Sequence, residues 1–182
     1  MTLAHHPRLA PPTPVLTGAN GLAVPARPGH RLSPLALLHR ARAEAPQVVP
    51  WSERVEEPLA ERAYELVAMD DDVEVWVIHW PAGGHLELHD HGGSAGALVV
   101  VGGTLEETYV GPDGLAGRRL GSGGGTAFGP AYVHDVVNTG VGPATSVHVY
   151  SPPLPAMTFY RHGEHGLTAD RTEYRSDPSW AP

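Results

Sequence analysis

The chain has 182 residues, enough for one domain with a sizeable core, and carries a formal net charge of -8. The acidic balance argues against a nucleic-acid surface, and the zero Cys count excludes disulfides, a thiol nucleophile and thiolate metal ligands. Every basic residue is Arg, so Schiff-base and phosphate-loop lysines are excluded too.

The 22 Gly and 19 Pro predict many turns and short strands. No apolar run approaches the roughly 18 residues that would suggest a bilayer span. Met1 to Pro14 lacks the basic-then-apolar pattern of a signal peptide, and a cytoplasmic enzyme is the expectation. Residues 1–30, rich in Pro, Ala and Gly, read as an irregular arm. Ser33-Pro34 reads as an N-cap followed by Pro at the first helical position. Leu35, Leu38 and Ala41, with Leu37 nearby, give a short amphipathic helix ending near Ala45-Pro46. A second helical turn is expected from Glu57 to Arg62.

From Ala63 the pattern alternates, as strands do. Strands are expected over Val73 to Trp80, His85 to His91, Ala97 to Val101, Thr104 to Val110, Arg118 to Leu120, Thr126 to Phe128, Asp135 to Asn138 and Thr145 to Tyr150. Gly-rich turns separate them, and Trp76 and Trp80 read as core. The pattern implies an all-β double-sheet jelly roll with short N-terminal helices. Residues 31–165 would form this barrel and residues 166–182 a C-terminal tail.

The chain holds 12 His. His89 and His91 flank Asp90 on an alternating stretch, which turns both imidazoles to one side. His134 lies on a strand expected in the other half of the barrel, where closure could complete a three-point face. Imidazole suits Fe, Zn, Cu and Ni. His5, His6, His30 and His39 read as solvated, and His162 and His165 as part of a polar tail. His79 and His85 lie near the motif, with a surface place expected for His85.

Gly83-Gly84 before the pair, Gly102-Gly103 after it, and Pro130 and Asn138 around His134 resemble the two-part cupin signature. The resemblance implies a cupin double-stranded β-helix with a metal on His89, His91 and His134. The usual cupin Glu ligand would fall at Ala95 or Gly96, so three His remain without a carboxylate.

Residues 60 to 162 further resemble the cysteine dioxygenase family of thiol dioxygenases, in a bacterial form. The likeness rests on Leu88 to Ser94, Gly103 to Thr108, His134 with Asn138, and Ser146 to Pro153. It implies one Fe(II) per chain, a small thiol and O2 as substrates, and a sulfinate as product. It also implies a relay of Ser146, His148 and Tyr150 whose hydroxyl reaches the iron site. Independently, these three residues share one face of a strand. Mammalian members carry a Cys where Gly96 stands, cross-linked to the Tyr; here no such bond can form. The family anchors the substrate carboxylate on an Arg or Gln before the strand leading to His79. Here Arg62 is offset, Tyr64 or Glu65 fills the expected place, and Arg161 is a further candidate. The expectation is therefore either that Arg62 or Arg161 anchors a thiol acid, cysteine or a relative such as 3-mercaptopropionate, or that the thiol lacks a carboxylate placed as in cysteine. The alternatives are another three-His cupin dioxygenase, for example a diketone-cleaving one, and a metal-binding cupin without activity.

Overall fold

The computed structural model describes residues 31–54, 59–163, 166–177, 180 and 182. Helix α1 (Pro34–Glu44) starts where expected: the Ser33 side chain accepts from the Ala36 amide at 3.3 Å, with Pro34 in the first turn. Its buried face is Leu37 and Ala41, one turn apart, whereas Leu35 is exposed. The expected stripe was thus rotated, because Leu37 rather than Leu35 meets the sheet. Of the helical turn expected from Glu57 to Arg62, residues 57 and 58 lie outside the described residues. Residues 59–62 are not helical; a 3-10 turn sits earlier, at Trp51–Glu53. His5, His6, His30 and His165 also lie outside the described residues.

Eleven strands follow: β1 (Ala63–Met69), β2 (Glu74–Trp80), β3 (His85–His89), β4 (Ala95–Gly102), β5 (Thr104–Gly111), β6 (Gly114–Gly121), β7 (Gly125–Phe128), β8 (His134–Val137), β9 (Ala144–Ser151), β10 (Ala156–Gly163) and β11 (Gly166–Tyr174). They form two antiparallel sheets, ordered β1-β2-β9-β4-β7 and β11-β10-β3-β8-β5-β6. This is the all-β cupin architecture with an N-terminal helix.

Two-residue alternation divides the first sheet between two apolar layers. Trp76, Ile78, Trp80, Leu98 and Val100 point inward to the space between the sheets. Val75, Val77, Ala97, Val99, Val147 and Val149 point outward, where Leu37 and Ala41 of α1 cover them. The helix covers β4 and β9, and Ala45 and Val48 after it pack on the same outer layer, so β2, β4 and β9 are buried on both faces and read as continuous apolar runs.

The second sheet holds the largest departure from the sequence reading. Residues 166–174, expected to begin a tail, form β11 and pair with β10 from Gly163↔Gly166 to Ala156↔Tyr174. The strand is mostly exposed, so it lacks the buried alternation that marks the inner strands. Arg175 then returns to the barrel, bonding buried Glu74 at 2.7 Å.

Candidate metal centre

Plain alternation along β3 would turn His85, Glu87 and His89 to one face. Instead His85 and Glu87 are exposed while Leu86 and His89 are buried. The pairing with β8 slips between Leu86 and His89, and this irregularity re-aims the strand so that both enter the core. β3 pairs His89 directly with His134 of β8. His91 follows just beyond the strand, before a turn that needs glycine: Gly92 and Gly93 have φ of 57° and 87°. A side chain at Gly92 would meet the Ala156 carbonyl oxygen at 2.7 Å. Asp90 turns away; it accepts from the Gly92 and Thr158 amides and the Tyr160 hydroxyl, tying this loop to β10.

His89, His91 and His134 thus converge, all buried, with one ligand atom of each within 4.8 Å of the others. The His89 Nδ1 lies 2.7 Å from the Glu87 carbonyl oxygen and the His134 Nδ1 2.7 Å from Glu107 Oε1. Both rings therefore present Nε2 inward. The His134 and His91 Nε2 atoms are 3.2 Å apart. Two imidazoles bound to one ion at about 2.1 Å, roughly at right angles, would place their nitrogens about 3 Å apart. Desolvation pushes His89 down to about 4 and holds His91 and His134 well below the ordinary range. All three are neutral at pH 7 with lone pairs available, as a metal requires. The residues present fit a divalent ion held by three imidazoles.

Beside the trio runs a chain of polar groups on one face of β9. The Ser146 Oγ lies 2.9 Å from His148 Nε2, and the Tyr150 hydroxyl 3.1 Å from His148 Nδ1. All three are buried, and the Tyr150 ring lies 5.3 Å from that of His91. Trp80, expected only as core, also donates its indole N–H to Ser146 Oγ at 2.9 Å. Desolvation lowers His148 to about 3 and raises Tyr150, so the imidazole is neutral and the phenol protonated.

The three clamp candidates separate. Arg62 lies over the Trp80 ring at 5.5 Å, and its charge is felt at Tyr150, His148 and His89. Its Nη1 donates to the Pro182 carbonyl oxygen at 3.5 Å. Tyr64 is exposed, with its ring edge-on to Trp76. Arg161 does not reach the site: its side chain is 77% exposed on β10 and pairs with Asp170 at 2.8 Å. Alternation alone would turn it to the same face as buried Phe159, but the pairing of β10 with β11 shifts between Phe159 and Tyr160, and from Arg161 to Gly163 the strand is exposed.

The sequence reading gave no role to Glu107, Tyr132 or Arg118. Glu107 is buried on β5, accepting from the Tyr132 hydroxyl at 2.9 Å, with Arg118 Nε 2.9 Å from its other oxygen. Glu107 falls at an inward position of β5, a signal the alternation carried. Tyr132 carried none; it stacks on Phe128 with ring centroids 4.8 Å apart. His79 is also buried, on the outer face, with Nδ1 2.9 Å from Thr145 Oγ1. His85 is at the surface beside Asp135.

Comparison with known proteins gives the family of the chain. The family model described as cysteine dioxygenase type I matches residues 51–163. The chain belongs to that family. The match spans β1 to β10, hence the whole trio, the relay and Arg62. Among solved structures, the chain is similar to a protein with a double-stranded β-helix domain from Klebsiella pneumoniae. That pair shares 22% identity over 69% of this chain and 97% of the other, with a TM-score of 0.48. It is also similar to a cupin superfamily protein from Desulfitobacterium hafniense, at 12% identity over 57% and 88% of the two chains and a TM-score of 0.47. No curated protein sequence matches. Within the cysteine dioxygenase family, this chain's departure at Gly96 has a steric counterpart. A Cβ there would lie 2.5 Å from the Phe128 ring and 2.9 Å from Tyr150 Cδ1. Phe128 fills the space that a Cys or Glu would need. Among the described residues, no helix is long and apolar enough to cross a membrane.

Proposed function

We propose that the chain is an iron(II)-dependent thiol dioxygenase, with one ion per chain. It would convert a small thiol acid, cysteine or a relative such as 3-mercaptopropionate, with O2 to the sulfinic acid. The balance is RSH + O2 → RSO2H: both oxygen atoms end on sulfur and no reductant is consumed. The observation that carries this reading is the Ser146-His148-Tyr150 relay ending beside three convergent imidazoles. Bound at His89, His91 and His134, iron(II) supplies a Lewis-acidic, redox-active centre at which a thiolate and O2 can be held side by side.

The remaining roles belong to the chain. An indole N–H can only donate, so Ser146 Oγ accepts from Trp80. The only other polar partner of Ser146 Oγ among the described residues is His148 Nε2, which is where its hydrogen goes. Neutral His148 then carries its proton on Nδ1 and donates to the Tyr150 oxygen. This leaves the Tyr150 hydroxyl proton free to point into the site. Because burial raises its pKa, Tyr150 serves as a fixed hydrogen-bond donor to oxygen or sulfur rather than as a base. Arg62 anchors the carboxylate; its planar fork suits two parallel bonds, and burial behind Trp80 sharpens the interaction. Phe128 and Phe159, stacked on His91 and beside His89, keep water from the reacting groups.

The test is O2 consumption by the iron-loaded protein with cysteine, 3-mercaptopropionate, cysteamine and a diketone, with products identified by mass. Sulfinate from a thiol acid, with an Arg62→Ala variant raising the apparent KM for acids but not for cysteamine, supports the reading. Uptake with the diketone alone, or with no substrate, overturns it.

A further inference from the structure

The metal trio contains no carboxylate, yet one stands directly behind it. Glu107 is only 1% exposed, deep between the sheets. A buried carboxylate is costly unless it is paired and hydrogen-bonded, so its surroundings are informative. Three groups converge on it. His134 Nδ1 lies 2.7 Å from Oε1, the Tyr132 hydroxyl donates to the same oxygen at 2.9 Å, and Arg118 Nε is 2.9 Å from Oε2. Arg118 is itself held. Its guanidinium lies 4.1 Å over the Tyr109 ring, and it donates to Thr126 Oγ1 at 2.8 Å and to the Tyr132 hydroxyl at 2.6 Å. β6, β8 and the segment before β8 each bring one residue to this carboxylate of β5, and Thr126 of β7 holds the arginine.

The direction of the His134 bond follows from its partner. A carboxylate beside an arginine accepts, so Nδ1 of His134 carries the hydrogen and Nε2 the lone pair. That lone pair faces His91 Nε2 at 3.2 Å. His89 has a different arrangement: the Glu87 backbone carbonyl stands behind its Nδ1. One ligand of the trio is therefore backed by a full negative charge.

We propose that Glu107 is a positioning residue for the metal. It fixes the tautomer and ring orientation of His134 and strengthens Nε2 as a donor. The negative charge missing from the ligands themselves thus acts one hydrogen bond further out. Tyr132 and Arg118 keep Glu107 aligned. The inference rests on the reading that His89, His91 and His134 hold the ion.

Two measurements test it. In metal-free wild-type protein, long-range 1H–15N spectra should show His134 with its proton on Nδ1; a proton on Nε2 overturns the proposal without any variant. In a Glu107→Gln protein that retains the wild-type near-UV circular dichroism, iron(II) affinity measured against a competing chelator should fall by roughly 10- to 100-fold. Unchanged affinity there overturns the role of Glu107 and leaves the three-histidine site standing. If removing the charge strands Arg118 and unfolds the protein, the Glu107→Gln/Arg118→Gln pair removes both charges together and is read in the same way. A wild-type protein that takes up no iron(II) overturns the site and, with it, this inference.

Discussion

Single atoms decide the polarity of the relay, and Trp80 is where it begins. With the indole replaced in Trp80→Phe, Ser146 no longer receives a fixed donor. His148 is then free to carry its proton on Nε2 and to accept from Tyr150 instead, which turns the phenol proton away from the site. Trp80→Phe is expected to lose turnover on the same scale as Tyr150→Phe, about 10²-fold, with iron content retained in both. Steady-state O2 uptake beside metal analysis checks this. A Trp80→Phe enzyme of full activity beside an impaired Tyr150→Phe one would sink the polarity argument. Gly96 gives a second prediction at this scale. Since the Phe128 ring occupies the place of a residue 96 side chain, Gly96→Cys should lower the melting temperature. Gly96→Cys combined with Phe128→Ala should be less destabilised than the two single changes added together, a coupling visible in a thermal double-mutant cycle.

The elements are held in place by a few polar ties between otherwise apolar layers. Glu74, wholly buried on β2, accepts from the Leu154 amide at 2.8 Å and from Arg175 just past β11. Arg175 also lies 5.0 Å over the Trp180 ring, which packs on Trp76. Arg175→Ala would strand a buried carboxylate and should cost about 3 kcal/mol, read as a lower urea midpoint; Glu74→Gln/Arg175→Ala should recover part of it. Asn138 is another tie. Its side-chain amide donates to backbone oxygens of Trp80, Pro81 and Gly142, joining the turn before β3 to the one before β9. This explains why an Asn near His134 carries fold information although it touches no ligand. The strands from β2 to β9 were legible because burial imposes alternation or a continuous apolar run. Strand β11 was not, since Arg171, Glu173 and their neighbours face solvent and leave no apolar period. That Ser146, His148 and Tyr150 line up was legible because side chains two residues apart on β9 share a face, and the trio was legible from the His-Asp-His motif with His134. The slip between Leu86 and His89 was not, because it depends on the partner strand β8. The same limit applies to Arg62. Sequence distance from His79 left it ambiguous with Arg161, and only the packing on Trp80 separates them.

Among the described residues five imidazoles are buried, and this sets the response of the molecule to acid. His79 and His89 are lowered from 6.5 to about 4 and His148 to about 3, each chiefly by desolvation. His91 and His134 move in the same direction for the same cause. A group whose folded pKa lies below its unfolded value is protonated first in the unfolded chain. Stability is therefore complete above about pH 6.5 and falls as the pH drops towards 4, by up to about 1.4 kcal/mol per pH unit for each histidine. Glu74 and Glu107, raised by burial, act in the opposite sense, but two carboxyls do not offset five imidazoles. The metal-free protein should accordingly unfold cooperatively in mild acid, at a pH where most all-β domains are intact. An ion held by His89, His91 and His134 would bind only the folded chain and only neutral imidazoles, so loading with iron(II) should move the acid midpoint, followed by circular dichroism, to lower pH. His134→Ala should abolish that metal-dependent shift, whereas His79→Gln, on the outer face of the sheet, should leave the shift intact while making the acid transition shallower. An acid midpoint independent of iron in the wild-type protein would show that the three imidazoles do not share an ion.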